Sequence, residues 1–393
     1  MVRKADVVII GGGIIGCSIA YYLAKNGIKP LLLEKRDICA GTSSACDGFV
    51  YMQTKKPGAQ LDLAMASAEL YGNLHRELGR DVHYRQPGGL ILIDSPALLK
   101  IMEEIVAKQQ EQGMAVELIT GDEARFLEPC LSRNIVAAAY SDLDGHVNPI
   151  DATFAYADAA VNLGAAIVTH TPVLDIKLKN DAIAGVVTPA GTIETDCVVN
   201  ACGVWAPAIG EMLGLNIPIK PRRGHTLVSE AVAPMFNKMM LDSRYIAIKH
   251  FPQMVQEWDD EFMKLGVGMG IEQTQHGNML IGNSRDFAGY DNSVSYEVIR
   301  AIAKYASRFI PFLKDVNIIR TFAGLRPYCV DGNPILGPVK RIPGLIMAAG
   351  HEGDGVALAP ITGKLIMEHI CGQRTQFDLT PFLIERFSGE VQA

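Results

Sequence analysis

Six residues constrain this chain more than any others: Gly11-Gly12-Gly13-Ile14-Ile15-Gly16 stands directly between an apolar run, Asp6 to Ile10, and a stretch of helical spacing. The run reads as a strand covered on both faces in a parallel sheet. Ile15, Ile19 and Leu23, with the small Ala20 and Ala24, then recur at helical intervals until Asn26-Gly27 stops the helix. A second apolar strand, Pro30 to Leu33, ends in Glu34. In this order each glycine has its own task. Gly11 permits the tight turn, Gly13 lets backbone approach a pyrophosphate, and Gly16 lets helix and strand pack closely. The anion sits at the helix N-terminus, in whose first turn Ile14 and Ile15 stand. Glu34 is placed to accept hydrogen bonds from ribose hydroxyls.

Length and charge narrow the partners of this nucleotide unit. At 393 residues with 49% hydrophobic content the chain buries a large core, and two domains are expected. A formal charge of −7, with Lys35-Arg36 and Arg222-Arg223 as isolated basic pairs, argues against nucleic acid. The eight cysteines form no Cys-x-x-Cys and read as reduced thiols of a cytoplasmic protein, and no metal site is expected. Asp6 and the early glycines interrupt the first apolar run before secretory length. No stretch approaches the ~18 uninterrupted apolar residues of a membrane span, so a soluble protein without a transmembrane segment is expected.

The nucleotide unit alone does not choose between FAD and NAD. After Glu34 the chain enters a small polar loop, Lys35 to Gly48, containing Gly41-Thr42-Ser43-Ser44 and Cys46-Asp47-Gly48, where simple nicotinamide enzymes continue into a helix. Hydroxyls and backbone N–H groups here suit a long cofactor whose far end leaves the first strand; a solvated surface loop is the plainer alternative. A second glycine fingerprint is missing, because Gly266-Val-Gly-Met-Gly270 does not run into a helix pattern.

With these segments the chain resembles the D-amino-acid oxidase and glycine oxidase superfamily of flavoproteins over nearly its whole length. The resemblance implies an α/β fold: a Rossmann-like, glutathione-reductase-type FAD-binding domain from residues 1–83, 147–220 and 320–393, and a second, antiparallel-sheet α+β substrate domain from 84–146 and 221–319. It implies noncovalent FAD. The cofactor residues carried over are Gly11, Gly13, Ile14, Ile15, Gly16, Glu34, Lys35, Thr42, Ser43, Ser44, Asp47, Gly48, Val173, Ala201, Gly203, Trp205 and Arg326. Val173 stands where the family contacts adenine, and a core valine is the alternative. Ala201 and Gly203 are small where the cofactor passes. Substrate is expected where the two domains meet.

The most specific resemblance is C-terminal. Gly324-Leu325-Arg326-Pro327 and Asp331-Gly332-Asn333-Pro334 precede a strand, Leu345 to Gly350, then His351-Glu352-Gly353-Asp354-Gly355-Val356 and an apolar helix to about Cys371. Arg326 matches the arginine that grips the substrate carboxylate, since a guanidinium forms two parallel charge-assisted bonds; an interdomain salt bridge is the alternative. The helix start, with Gly353, Asp354, Gly355 and Val356, offers N–H groups to the flavin pyrimidine edge. Glu352 and Asp354 are expected to point away, capping the helix or meeting a partner. Arg326, Tyr328 and His351 are the candidate catalytic residues, and Tyr245 and His250 further candidates for substrate contact, with ordinary packing as the alternative.

The resemblance implies oxidation of a C–N bond by hydride transfer from the α-carbon of a small carboxylate-bearing amine to flavin N5. Gly350 to Lys364, with Ser44 to Phe49, looks closest to catalytic subunits of heteromeric proline, hydroxyproline or opine dehydrogenases, whose electrons leave through partner subunits. The alternatives are an oxygen-using oxidase and a non-catalytic flavin electron-transfer subunit.

Overall fold

The computed structural model describes residues 3–250 and 260–387. The apolar run forms the strand Val8–Ile10, which lies between Leu31–Leu33 and Val198–Asn200, parallel to both. Ala166–Val168 and Leu345–Ala349 extend the parallel sheet outward, and Ile335–Pro338 closes one edge antiparallel. Near-continuous hydrophobicity in these strands follows from cover on both faces. Ile9, Leu32, Val199 and Ile346 pack toward the helices, while Val8, Ile10, Leu31 and Leu33 pack against Ile176, Ile183, Val186 and Ile193. The latter belong to a three-stranded antiparallel sheet, Asp175–Lys179, Ala182–Thr188 and Gly191–Glu194.

On the helical face, Ile14–Lys25 packs against Pro149–Asn162 and the C-terminal helix Gly355–Ile370. The middle helix starts at Pro149, because Asn148 caps it through Oδ1 and Pro149 takes the first helical position. Pro360 inside the C-terminal helix has no N–H for the Val356 carbonyl. The Tyr71 hydroxyl donates to that carbonyl instead, at 2.6 Å, and the helix continues.

The second sheet has eight strands: Ile318–Cys329, Ile219–Ser229, Met279–Ser284, Val267–Gln273, Met239–Asp242, Gly89–Ile93, Ala137–Ser141 and Glu117–Thr120, in that spatial order. It is antiparallel except where Met239–Asp242 meets Gly89–Ile93 in parallel, the seam between the two expected insertions. Gly266 to Gly270 enters a strand, as its lack of helical spacing suggested. Ile219–Ser229 and Ile318–Cys329 pair from Ile219–Cys329 to Ser229–Ile318. Boundaries at 220/221 and 319/320 therefore fall inside strands of this sheet, and Arg326 is carried by the second sheet, facing Arg222 across the ladder. Among the described residues no helix is long and apolar enough to cross a membrane.

Candidate functional site

At the start of the helix Ile14–Lys25 the backbone comes close to the neighbouring strand. Gly11 has φ +111°, and a Cβ there would lie 2.6 Å from the Ala201 carbonyl oxygen; one on Gly16 would lie 2.0 Å from that of Gly11. Gly13 offers the helix no cap, and the Ser43 hydroxyl accepts the Ile14 N–H from across the loop at 3.1 Å. Glu34 is fixed from two sides, accepting the Gly12 N–H at 2.7 Å and the Arg36 N–H at 2.8 Å. A carboxylate has about four acceptor positions, so capacity remains for ribose hydroxyls. Lys35 lies over the Trp205 ring, 4.2 Å from its centroid.

From this cradle a cavity of about 300 Å³ runs between the two sheets. Gly11, Gly13, Ile14, Ile15, Glu34, Lys35, Val173, Ala201, Gly203 and Trp205 line its nucleotide end. Val173 also packs partly on the core. Thr42, Ser43 and Asp47 line the stretch beyond, and Arg326, His351, Gly353, Asp354, Gly355 and Val356 the far end, with Tyr245. The loop at 41–48 bridges the sheets and is no solvated excursion: Thr42 Oγ1 donates to the Leu325 carbonyl at 2.6 Å, and the Gly48 N–H to Glu272 Oε1 at 3.0 Å.

Four expected residues lie outside the lining. Gly16 serves the helix–strand approach instead. Ser44 is exposed, its hydroxyl turned to the Gly41 carbonyl. Gly48 allows its backbone to pass Val147, whose carbonyl oxygen would stand 1.9 Å from a Cβ. Tyr328 lies beneath Arg222, whose guanidinium carbon is 4.5 Å from the ring centroid. The side chain of His250 falls outside the described residues.

Arg326 stands beside Gly353, where a Cβ would come 3.7 Å from its Nε. Gly224 makes room for the guanidinium, since a Cβ there would meet Nη1 at 2.0 Å. Nη1 donates to the Ser284 carbonyl at 2.9 Å, and among the described residues no carboxylate forms an ion pair with Arg326. The salt bridge considered for it is thus absent among those residues. Neither acid of the Glu352-Gly-Asp354 turn caps the helix: Glu352 pairs with Arg222, and Asp354 with Lys55 at 2.7 Å. Burial drives His351 down to about 4, so it is neutral at physiological pH, with Nε2 3.1 Å from Thr362 Oγ1. Half-buried Asp47 is pushed up by desolvation, against the pull of Arg326.

Lys55 and Asn283 line this cavity, Arg222 pairs with the lining Glu352, and none of the three was legible in sequence. Lys55-Lys56-Pro57-Gly58 has the pattern of a solvated turn, and Arg222-Arg223 that of a basic surface pair. Strand alternation separates the second pair: Arg222 turns to Glu352, and Arg223 to Asp286 and Asp291. Among the described residues Asn283 Oδ1 is buried without a partner on the cavity wall, a ready acceptor for a donor.

Burial, with the Asp47 charge adding to it, pushes the nearby Glu272 carboxyl up to about 8. In the unfolded chain such a group loses its proton near ~4.3. Between those values the native state holds a proton that the unfolded chain has released, so this group's contribution to stability falls as pH rises through the window. Glu272→Gln keeps an acceptor for Gly48. Its Tm should pull ahead of the wild type as pH is raised from 5 to 9, and an equal difference at both ends would mean that Glu272 is ionised in the fold.

Comparison with known proteins places this geometry. A family model described as FAD dependent oxidoreductase matches residues 6–369. The chain is 29% identical to the hydrogen cyanide synthase subunit HcnC of Pseudomonas aeruginosa, over 100% of this chain and 99% of that protein. Among solved structures it is similar to L-proline dehydrogenase from P. horikoshii (TM-score 0.89, 30% identity, 99% of both chains). Glycine oxidase from Geobacillus kaustophilus is also similar (TM-score 0.87, 28% identity, 98% of this chain and 99% of that one).

Proposed function

The chain belongs to the family of FAD-dependent oxidoreductases, and on that premise we propose that it oxidises the C–N bond of a small amino or imino acid and passes the electrons to a partner subunit. Proline or hydroxyproline, a D-amino acid, glycine or sarcosine, and an opine are the substrate types considered. The observation that carries the reading is Arg326: a guanidinium on the cavity wall, given space by Gly224 and without a carboxylate partner among the described residues. Such a group takes a substrate carboxylate in two parallel bonds and fixes the α-carbon in direction.

The residues that would hold FAD are the glycine cradle, Glu34, the loop at 41–47 and the start of the helix Gly355–Ile370. Their fit rests on close approaches that a Cβ at Gly11 or Gly16 would block. Bound FAD supplies the acceptor for the hydride. The chain's own part is to orient and to exclude water: Arg326 binds the carboxylate, Asn283 Oδ1 offers an acceptor on the wall, and neutral His351 adds no charge beside the reacting atoms. The enzyme needs its amine unprotonated, and no described side chain is assigned as its base.

The preference for a partner subunit over oxygen is supported by the look of Gly350 to Lys364 and by the relative that is itself a subunit. Anaerobic mixing with D-amino acids, imino acids and opines should bleach the flavin with one class and not the others. With that substrate, turnover is expected to be fast with an artificial dye and slow with oxygen. Peroxide formation at the dye-linked rate would identify an oxidase, and absence of bleaching by every compound would favour a non-catalytic electron-transfer subunit.

A further inference from the structure

We propose that Lys55 is a positioning residue of the flavin site: it holds and neutralises the Asp354 carboxylate, keeping the N-terminal end of the helix Gly355–Ile370 open to the cofactor. Lys55 is 1% exposed, yet it stands on the cavity wall. Its Nζ lies 2.7 Å from Asp354 Oδ1 and 2.9 Å from Thr54 Oγ1. Gln60 Nε2 donates to the other carboxylate oxygen at 3.2 Å. The lysine backbone is itself anchored, its N–H to the Met52 carbonyl and its carbonyl to Gln109 Nε2.

The contrast is with the helix starts that carry a short polar side chain. Ser95, Thr120, Asn148, Asp260 and Ser295 each occupy the position before a helix and bond its first N–H groups through their side chains. Asp354 occupies that position before Gly355–Ile370 and makes no such bond. Its backbone, at the end of the short 3-10 turn Glu352–Asp354, has φ −101° and ψ 3°, away from the extended conformation those five caps share, and its carboxylate turns to Lys55 and Gln60.

Burying a lysine carries a large desolvation penalty, and such a residue is retained only with good partners. The site gains a helix end whose partial positive charge is not cancelled by its own acid. Gly353 and Gly355 on either side add no side chain to that end, and all three residues line the cavity. Without Lys55 the Asp354 carboxylate would lose this cation at the place where negative charge gathers when the flavin is reduced. Whether it rotated onto the helix N–H groups or stayed toward the cavity, it would oppose that charge.

The inference rests on FAD occupying this cavity; were that wrong, the wild-type protein would show no flavin spectrum, a result independent of any variant. In the flavin-loaded protein, Lys55→Met should shift the two-electron midpoint potential to more negative values and weaken FAD binding about tenfold. Adding Asp354→Asn to Lys55→Met should return both toward the wild type, because the opposing charge is gone. An unchanged potential in Lys55→Met would overturn the proposal. So would a double variant that stays as low as the single one, the pattern of a pair that only stabilises the fold. Should Lys55→Met yield no folded protein, Asp354→Asn alone reads the same contact: its potential should equal or exceed the wild type, and a fall would refute the assignment.

Discussion

Replacing Arg326 with Ala is expected to weaken carboxylate-bearing substrates by about 2–5 kcal/mol, a loss of roughly 30- to 5,000-fold in apparent affinity. The range is that of a charge pair broken by truncating one partner, and the low end applies if the bound carboxylate keeps contact with water. Flavin binding should survive, because Arg326 is held by Ser284 and the second sheet, away from the glycine cradle. Flavin reduction followed at increasing substrate separates the two effects. Gly224→Ala gives an independent route to the same result, since its Cβ would meet Nη1 at 2.0 Å and displace the guanidinium without removing it. If both variants bind substrate as the wild type does, Arg326 is not the carboxylate partner.

Gly16→Ala should purify without FAD and lose about 3 kcal/mol or more of stability. The new Cβ would lie 2.0 Å from the Gly11 carbonyl oxygen, and that atom is backbone in the turn itself, so it has no rotamer into which to retreat. Relief requires the helix Ile14–Lys25 to move off the strand Val8–Ile10, which breaks the cradle and the core beneath it together. Gly27→Ala is the control. Gly27 has φ +84° and open space around its missing Cβ, so the cost is the backbone term of about 1–2 kcal/mol, and FAD should be retained. Retention of full FAD content by Gly16→Ala would show that helix and strand separate without disturbing the site.

The parts of the site that were legible in sequence are those whose chemistry is local. A glycine that permits a tight turn, a helix start just after it and an acid at the end of the next strand occur within the first 34 residues, and spacing along the chain is enough to recognise them. The C-terminal segment is similar: Arg326, His351 and the glycines of the helix start follow one another closely, and the structure brings them to one end of a common cavity. Ser44 and Tyr328 went the other way. Both sit one or two residues from lining positions, and which of two neighbours faces a cavity depends on the turn or strand orientation.

What the sequence determined by itself is therefore the nucleotide unit and that it serves a dinucleotide, because strand, turn, helix and terminal acid are set by short-range sterics and hydrophobic period. Only the tertiary structure decided which charges share the site. Lys55 and Asp354 lie 299 positions apart, and Arg222 and Glu352 lie 130 apart. Arg326 owes its room to Gly224 on the neighbouring strand. Burial and pairing depend on which distant segments the two sheets bring together, and no local pattern in Lys55-Lys56 or Arg222-Arg223 distinguishes a solvated cation from one enclosed against a buried carboxylate.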